Sequence, residues 1–231
     1  MTTQIQLASQ QQVIYPESDG QPMADNTKQF RWIVTIQGGL DALFRDNANV
    51  FVAGDLLWYP VEGNNTIRRA PDAMVVFGRP KGDRGSYLQW RENNIAPQVV
   101  FEILSPGNRL TEMLNKLKFY ERYGVEEFYM YDPDREDLGG WLRSGEELGE
   151  IEQIAGWVSP RLGVRFEPSP EGLELYRPDG QKFASYVELD RQREVAIAKA
   201  EQEAQRAEQE AQRAERLAAK LRELEIDPDT L

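Results

Sequence analysis

The 231-residue chain is 40% hydrophobic and carries a formal charge of −12, with neither cysteine nor histidine. That length suits one large domain with an appendage, and the two missing residue types exclude disulfides, thiolate nucleophiles, Ser-His-Asp triads and His- or Cys-built metal sites. Any catalytic apparatus has to come from carboxylates, Lys, Arg, Tyr, Ser or Thr, or from a hard metal ion held by oxygen atoms.

Residues 1–24 are rich in Gln, Ser and Pro without periodicity and are expected to form a polar arm. The opening MTTQIQLASQQQVIYP has no charged region followed by an apolar run, so it does not read as a secretory signal. No stretch approaches the roughly 18–20 apolar residues of a membrane span. The expectation is a cytoplasmic protein with no membrane partner.

Asn26 or Thr27 offers an N-cap, and Phe30, Ile33, Val34, Leu40, Leu43 and Phe44 follow at helical spacing. A helix over 27–45 is predicted, although Gly38-Gly39 in its middle costs about 1 kcal/mol per glycine against alanine. Three strand-like runs come next, at 49–60, 70–78 and 97–104. A long loop, GRPKGDRGSYLQWRENN, precedes the third. Ser105-Pro106-Gly107-Asn108 breaks the chain before a helix in RLTEMLNKLKFYERYG, and EEFYMYDP is a further strand. Shorter β-like pieces between 139 and 187 read as a meander added to the same core. The spans are therefore 1–24, a mixed α/β domain at 25–187, and a tail at 188–231.

The tail repeats AEQEAQR at 200–206 and again at 207–213. Ala200, Ala204, Ala207, Ala211 and Ala214 form a narrow seam that grades into Leu217, Leu221 and Leu224. A long helix from about 190 to 225 follows, expected to act as a coiled coil and to assist a homodimer. A solvated single helix held by Glu–Arg pairs is the alternative.

Asp72 in APDAMVVFG and Glu102 in PQVVFEIL each interrupt an apolar strand. A carboxylate in that setting needs a cation or dense hydrogen bonding. Alternation puts Glu102 on one strand face with Val100 and Leu104, and Val99, Phe101 and Ile103 on the other. A structural ion pair with Arg68 or Arg109 would also account for Glu102. On the following helix, Leu110, Met113, Leu114, Leu117 and Tyr120 make the apolar stripe. Lys116 and Lys118 border it on opposite sides, and periodicity does not choose between them. From Arg68 to Arg122 ten Lys/Arg stand against six Asp/Glu, a basic island in an acidic chain. Arg79, Lys81, Arg84 and Arg91, interleaved with Tyr87 and Trp90, suit phosphate contacts and base stacking, or simply a charged surface loop. Arg109 could touch phosphate or pair with Glu102. Asp55 reads as structural, and Asp41 has no assigned role.

The runs VFVAGDLLWYP, APDAMVVFGRPKGDRGSY, PQVVFEILSPGNR, KLKFYERYGVEEFYMYDP and LELYRPDGQKF, in that order, resemble the Uma-two family of restriction endonucleases. That family sits within the PD-(D/E)XK nuclease superfamily. The resemblance spans about 26–187. It implies a restriction-endonuclease-like fold, a mixed β-sheet core flanked by helices, and a metal-dependent endonuclease acting on DNA. Pro71-Asp72 matches the PD element, and Glu102 matches the acid of (D/E)XK. The resemblance then implies Mg²⁺ (or Mn²⁺) held by Asp72, Glu102 and the carbonyl of Ile103. Leu104 stands where the motif lysine would be, and Lys116, in a KLxxY-like element, takes its place as the third catalytic residue. Arg79, Lys81, Arg84 and Arg109 become the expected nucleic-acid contacts. The competing readings are a catalytically silent nucleic-acid-binding or scaffold protein and a carboxylate-pair glycosidase.

Overall fold

The computed structural model describes residues 13–169 and 172–223, and the chain divides into two compact units, 1–183 and 184–231. Helix α1 (Thr27–Leu43) starts where an Asn26 side chain accepts from the amides of Lys28 and Gln29, the N-cap that polar side chains supply to otherwise unpaired helix donors. Its buried face is Gln29, Ile33, Ile36 and Leu40. Phe30 and Val34, expected on the core stripe, are about half exposed, because the burying arc is centred on the Ile33–Ile36–Leu40 row. The glycine pair has a packing reason: a Cβ on Gly39 would overlap the Phe183 ring, whereas Gly38 faces open space.

The predicted strand over 49–60 is two strands, β1 (Val50–Ala53) and β2 (Trp58–Tyr59), which enter different sheets. The break falls at Gly54-Asp55, where Asp55 takes φ +48, a left-handed conformation that ends a strand. β3 (Ala73–Phe77), β4 (Tyr87–Leu88), β5 (Val99–Ile103), helix α2 (Leu110–Arg122) and β6 (Glu127–Asp132) follow. β7 (Asp137–Ser144) and β8 (Glu147–Glu150) extend the main sheet, and β9 (Arg165–Ser169) pairs with β10 (Gly172–Tyr176) as a separate ribbon.

The six-stranded sheet runs β1-β3-β5-β6-β7-β8. Its one parallel pair, β5–β6, is joined through α2, as a parallel connection requires a crossover. β5 is buried along its whole length, because both sheet faces are covered. On one face Val99, Phe101 and Ile103 pack with α1 and the β9–β10 ribbon. On the other, Val100 packs with Tyr120 of α2, Trp58 and Tyr87. The alternation read from PQVVFEIL is therefore observed, with Glu102 on the α2 side. The architecture is mixed α/β, one mixed sheet between helices.

The second unit contains helix α3 (Tyr186–Glu223), of which no described residue is buried. Leu224 and the expected end near 225 lie outside the described residues, as do residues 1–12 of the expected arm. Among the described residues no helix is long and apolar enough to cross a membrane.

Candidate active site

β3 and β5 are antiparallel neighbours with Ala73 opposite Phe101, and one further step of that register sets Asp72 opposite Glu102. Asp72 lies just ahead of β3 on the same side as Met74 and Val76, the α2 side. Its Oδ2 accepts from the backbone N–H of Ile103 at 2.6 Å. Glu102, 1% exposed, is held from α2 by two donors one helical turn apart. Lys116 Nζ donates to Oε2 at 2.7 Å, and the hydroxyl of buried Tyr120 donates to Oε1. Of the two lysines, Lys116 is the one that reaches the acids: it is 19% exposed and ion-paired, while Lys118 is exposed. Leu110 and Leu114, expected in the core stripe, are 77% and 47% exposed. The face that α2 buries is rotated toward Met113, Leu117 and Tyr120, which carries Lys116 inward.

The electrostatics follow from burying two acids beside one base. Burial, then the neighbouring Glu102 carboxylate, hold the Asp72 pKa well above its ordinary value, against the opposing pull of the Ile103 amide and Lys116. For Lys116, burial would depress the pKa, but the adjoining Glu102 carboxylate outweighs it and raises it. Tyr120 is raised by burial and by Glu102, so its proton stays on the phenol. The trio of Asp72, Glu102 and Lys116 with all groups ionised has one negative charge uncompensated.

Two features of the site had no signal in the sequence. The first is Gln29 of α1, 7% exposed, whose Nε2 donates to the carbonyl of Ile103 at 2.7 Å and whose Oε1 accepts from Asp25 N–H at 2.8 Å. Both backbone groups of Ile103 are thus engaged by side chains, the N–H by Asp72 and the carbonyl by Gln29. The second is the segment leading into α1. Tyr15 packs against the rings of Tyr59 and Trp90, with centroids 5.2 and 4.9 Å away, and its hydroxyl accepts from Gly63 N–H at 2.6 Å. Tyr59 donates to the Pro16 carbonyl at 2.7 Å, and Asp25 accepts from the Ser105 hydroxyl at 2.5 Å. Read from the sequence as part of an arm, residues 13–24 instead strap the body beside the acids.

Strap, β3 approach and α2 together line a cavity of about 660 Å³ that contains Asp72 and Lys116. Five carboxylates border it, Asp19, Asp25, Asp55, Asp72 and Glu112, against three bases, Arg68, Arg69 and Lys116. The cations expected to contact nucleic acid are elsewhere. Arg79 and Arg84 both donate to Glu92, at 2.7 and 2.8 Å, with all three side chains under 16% exposed. Arg84 also lies over the Phe51 ring. Lys81 pairs with Asp41 at 3.3 Å, and Arg109 is exposed at the start of α2. Tyr87 is fully buried, so its ring is not free to stack on a base, and Trp90 is half-buried with Tyr15 tilted against its ring. The long loop is tied down because Glu92 gathers both arginines.

Among the described residues no three His, Cys, Asp or Glu side chains form a metal-binding group. The available donors are two strand carboxylates and a backbone carbonyl. That set fits a hard divalent ion, since Mg²⁺ keeps several waters and needs only one or two protein carboxylates.

Two neighbouring acids with a helix lysine, mounted on a mixed sheet between helices, form the candidate site of this α/β protein. The model of the family described as "Uma2: Putative restriction endonuclease" matches residues 5–156, and the chain belongs to that family. A solved structure described as "a putative nuclease belonging to DUF820 from Anabaena variabilis ATCC 29413" is similar over 62% of this chain and 79% of its own. The two share 16% identity at a TM-score of 0.45. No curated protein matches the chain.

Proposed function

We propose that this protein is a metal-dependent endonuclease that hydrolyses phosphodiester bonds in DNA, with Asp72 and Glu102 holding Mg²⁺ or Mn²⁺ and Lys116 assisting. The observation that carries this reading is the convergence of Asp72 and Glu102 on one side of two paired strands, with the Lys116 ammonium 2.7 Å from Glu102. Family membership supports the reaction class. The uncompensated negative charge of the trio supports a cation, because a buried excess carboxylate is costly until it is neutralised.

Asp72, Glu102 and the Ile103 carbonyl would be the protein ligands. A bound divalent ion supplies Lewis-acid polarisation of a phosphate oxygen and a water of lowered pKa. The chain's own groups do the rest. The Ile103 amide fixes the Asp72 carboxylate, and Gln29 fixes the Ile103 carbonyl. Tyr120, protonated throughout the working pH range, and Lys116 hold the Glu102 carboxylate in one orientation. Lys116, kept charged by the adjoining Glu102 carboxylate against its burial, is placed to donate to a phosphate oxygen as negative charge grows there.

The test is cleavage of supercoiled and linear DNA with Mg²⁺, Mn²⁺ or EDTA, alongside thermal unfolding with and without each ion. Ion-dependent cleavage, lost in Asp72→Asn and Glu102→Gln with the fold intact, is expected. Full activity in either variant refutes the assignment. One observation favours the silent nucleic-acid-binding reading: both Glu102 oxygens are already engaged. That reading predicts DNA binding with neither cleavage nor ion-induced stabilisation.

Homodimer formation through α3 is part of the same proposal. The alanine seam from Ala200 to Ala214 allows close helix approach but buries little area, at roughly 25 cal/mol per Å². Glu201, Glu203, Glu208 and Glu210 border the seam on both sides, so self-pairing brings like charges together and strengthens as salt screens them. Sedimentation that finds a monomer at every concentration and salt removes the coiled coil.

A further inference from the structure

The cavity beside Asp72 holds two arginines that no carboxylate has claimed. Arg68 and Arg69 lie on the segment that runs into Asp72. Arg69 is anchored by a two-way backbone bridge to fully buried Trp58, at 2.7 and 3.2 Å. Its guanidinium lies 5.3 Å from the Phe119 ring centroid, and Nη1 donates to the Arg68 carbonyl at 3.0 Å. Arg68 Nη1 donates to the Asn65 carbonyl at 3.0 Å. Each guanidinium is therefore oriented by a neutral acceptor and keeps most of its five donors.

The contrast with the long loop is informative. Arg79 and Arg84 are neutralised by Glu92, the ordinary fate of an arginine that serves the fold. Five carboxylates border the cavity of Arg68 and Arg69, yet among the described residues neither arginine lies within ion-pair distance of one. A charge that is positioned, stacked and left unneutralised is suited to an anionic ligand, and the planar fork matches two oxygens of one phosphate.

We propose that Arg68 and Arg69 are the phosphate-binding side chains of this site, Arg69 gripping the scissile phosphate and Arg68 the adjoining one. The inference rests on the nuclease reading, and it moves the backbone grip from the long loop to the residues immediately before Asp72. The assignment of Arg69 to the inner phosphate follows from its place over Phe119, next to Tyr120, whose hydroxyl is bonded to Glu102.

The test is fluorescence anisotropy of the full chain with a fluorescein-labelled DNA oligonucleotide in Ca²⁺, repeated across a salt series. Arg68→Gln and Arg69→Gln should each weaken binding about ten- to a hundred-fold, as loss of a charge-assisted contact does. Each should also lower the slope of log affinity against log salt by about 0.7–0.9. Arg69→Lys should restore the slope but only part of the affinity, since a point charge replaces a fork. Unchanged thermal midpoints separate this loss from a structural defect. Should Arg69→Gln fail to fold, Arg68→Gln and Arg69→Lys carry the test. Wild-type affinity and slope in both overturn the proposal while leaving the nuclease reading standing. A wild-type chain that neither binds the oligonucleotide in Ca²⁺ nor cleaves DNA in Mg²⁺ overturns the nuclease reading itself, and this inference with it.

Discussion

Replacing Lys116 with methionine keeps the aliphatic stem and removes the ammonium from a carboxylate that is 1% exposed. At 2.7 Å the gross attraction is about 6 kcal/mol for an effective dielectric of about 20. Desolvation of both ions offsets part of it, and removing one partner of a buried pair costs about 3–5 kcal/mol in practice. Tyr120 still donates to Glu102 in the variant, so the loss should lie near the lower end, at about 3 kcal/mol. For a unit of this size that is a fall in thermal midpoint of roughly 6–12 °C. Urea unfolding of the full chain, followed by tryptophan fluorescence, measures it. Lys118→Met, on the exposed side of the same helix, should stay within about 0.5 kcal/mol of wild type. The double variant Lys116→Met/Glu102→Gln should recover most of the loss, because the stranded charge has gone with its partner. Equal stability of the two lysine variants, or a double variant no more stable than Lys116→Met, would refute the ion-pair argument.

Asp72→Asn should stabilise the protein by about 0.5–2 kcal/mol at neutral pH while abolishing activity, the usual exchange at a functional site. The sign follows from linkage. The Asp72 pKa is raised on folding, so the unfolded chain releases the proton first. The penalty on the folded state then grows as pH climbs above the ordinary value of 3.8 and is complete above the folded pKa. Asparagine still offers Ile103 an acceptor, so the gain should vanish below the ordinary carboxylate range, and a variant stabilised equally at all pH would contradict this. For the same reason Mg²⁺-induced stabilisation of the wild type should rise with pH through that window, measured by thermal shift. Gly39→Ala and Gly38→Ala should differ in sign. The first drives a methyl into Phe183 at about 1–3 kcal/mol, while the second gains about 0.5–1 kcal/mol from helix propensity in open space. Truncation after Phe183 should leave thermal shifts by Mg²⁺ unchanged and abolish any concentration-dependent change in sedimentation.

Much of this arrangement was legible because it depends on local periodicity. Asn26 caps α1 as its residue type suggests, and the alternation in VVFEI placed Glu102 opposite Phe101 and Ile103. The break at Gly54-Asp55 was hidden, since β-branched and aromatic residues on both sides continue the strand pattern through a kink set by one backbone angle. The two lysines were indistinguishable because α2 turns its buried arc by tertiary packing, leaving Leu110 and Leu114 outside. Arg79 and Arg84 looked like phosphate contacts because composition reports a charge but not its partner, and Glu92 lies thirteen and eight residues away, respectively. Gln29, Asp25 and the strap gave no signal because their site contacts run to residues far along the chain, such as Ile103 and Ser105.

Charge ties the site to the rest of the chain. A protein of net charge −12 has no bulk attraction for a polyanion, and five acids against three bases leave its cavity negative as well. Of those bases Lys116 is spent on Glu102. A phosphodiester therefore meets its main attraction from Arg68 and Arg69 until a divalent ion is bound between the acids, which removes most of the cavity's excess negative charge. The order of events follows from that arithmetic of signs: the ion is needed for binding the substrate as well as for cleaving it. Oligonucleotide affinity should then be negligible in EDTA and appear with Ca²⁺, an ion of the same charge. Equal affinity with and without the ion would place the nucleic acid on some other surface of the molecule.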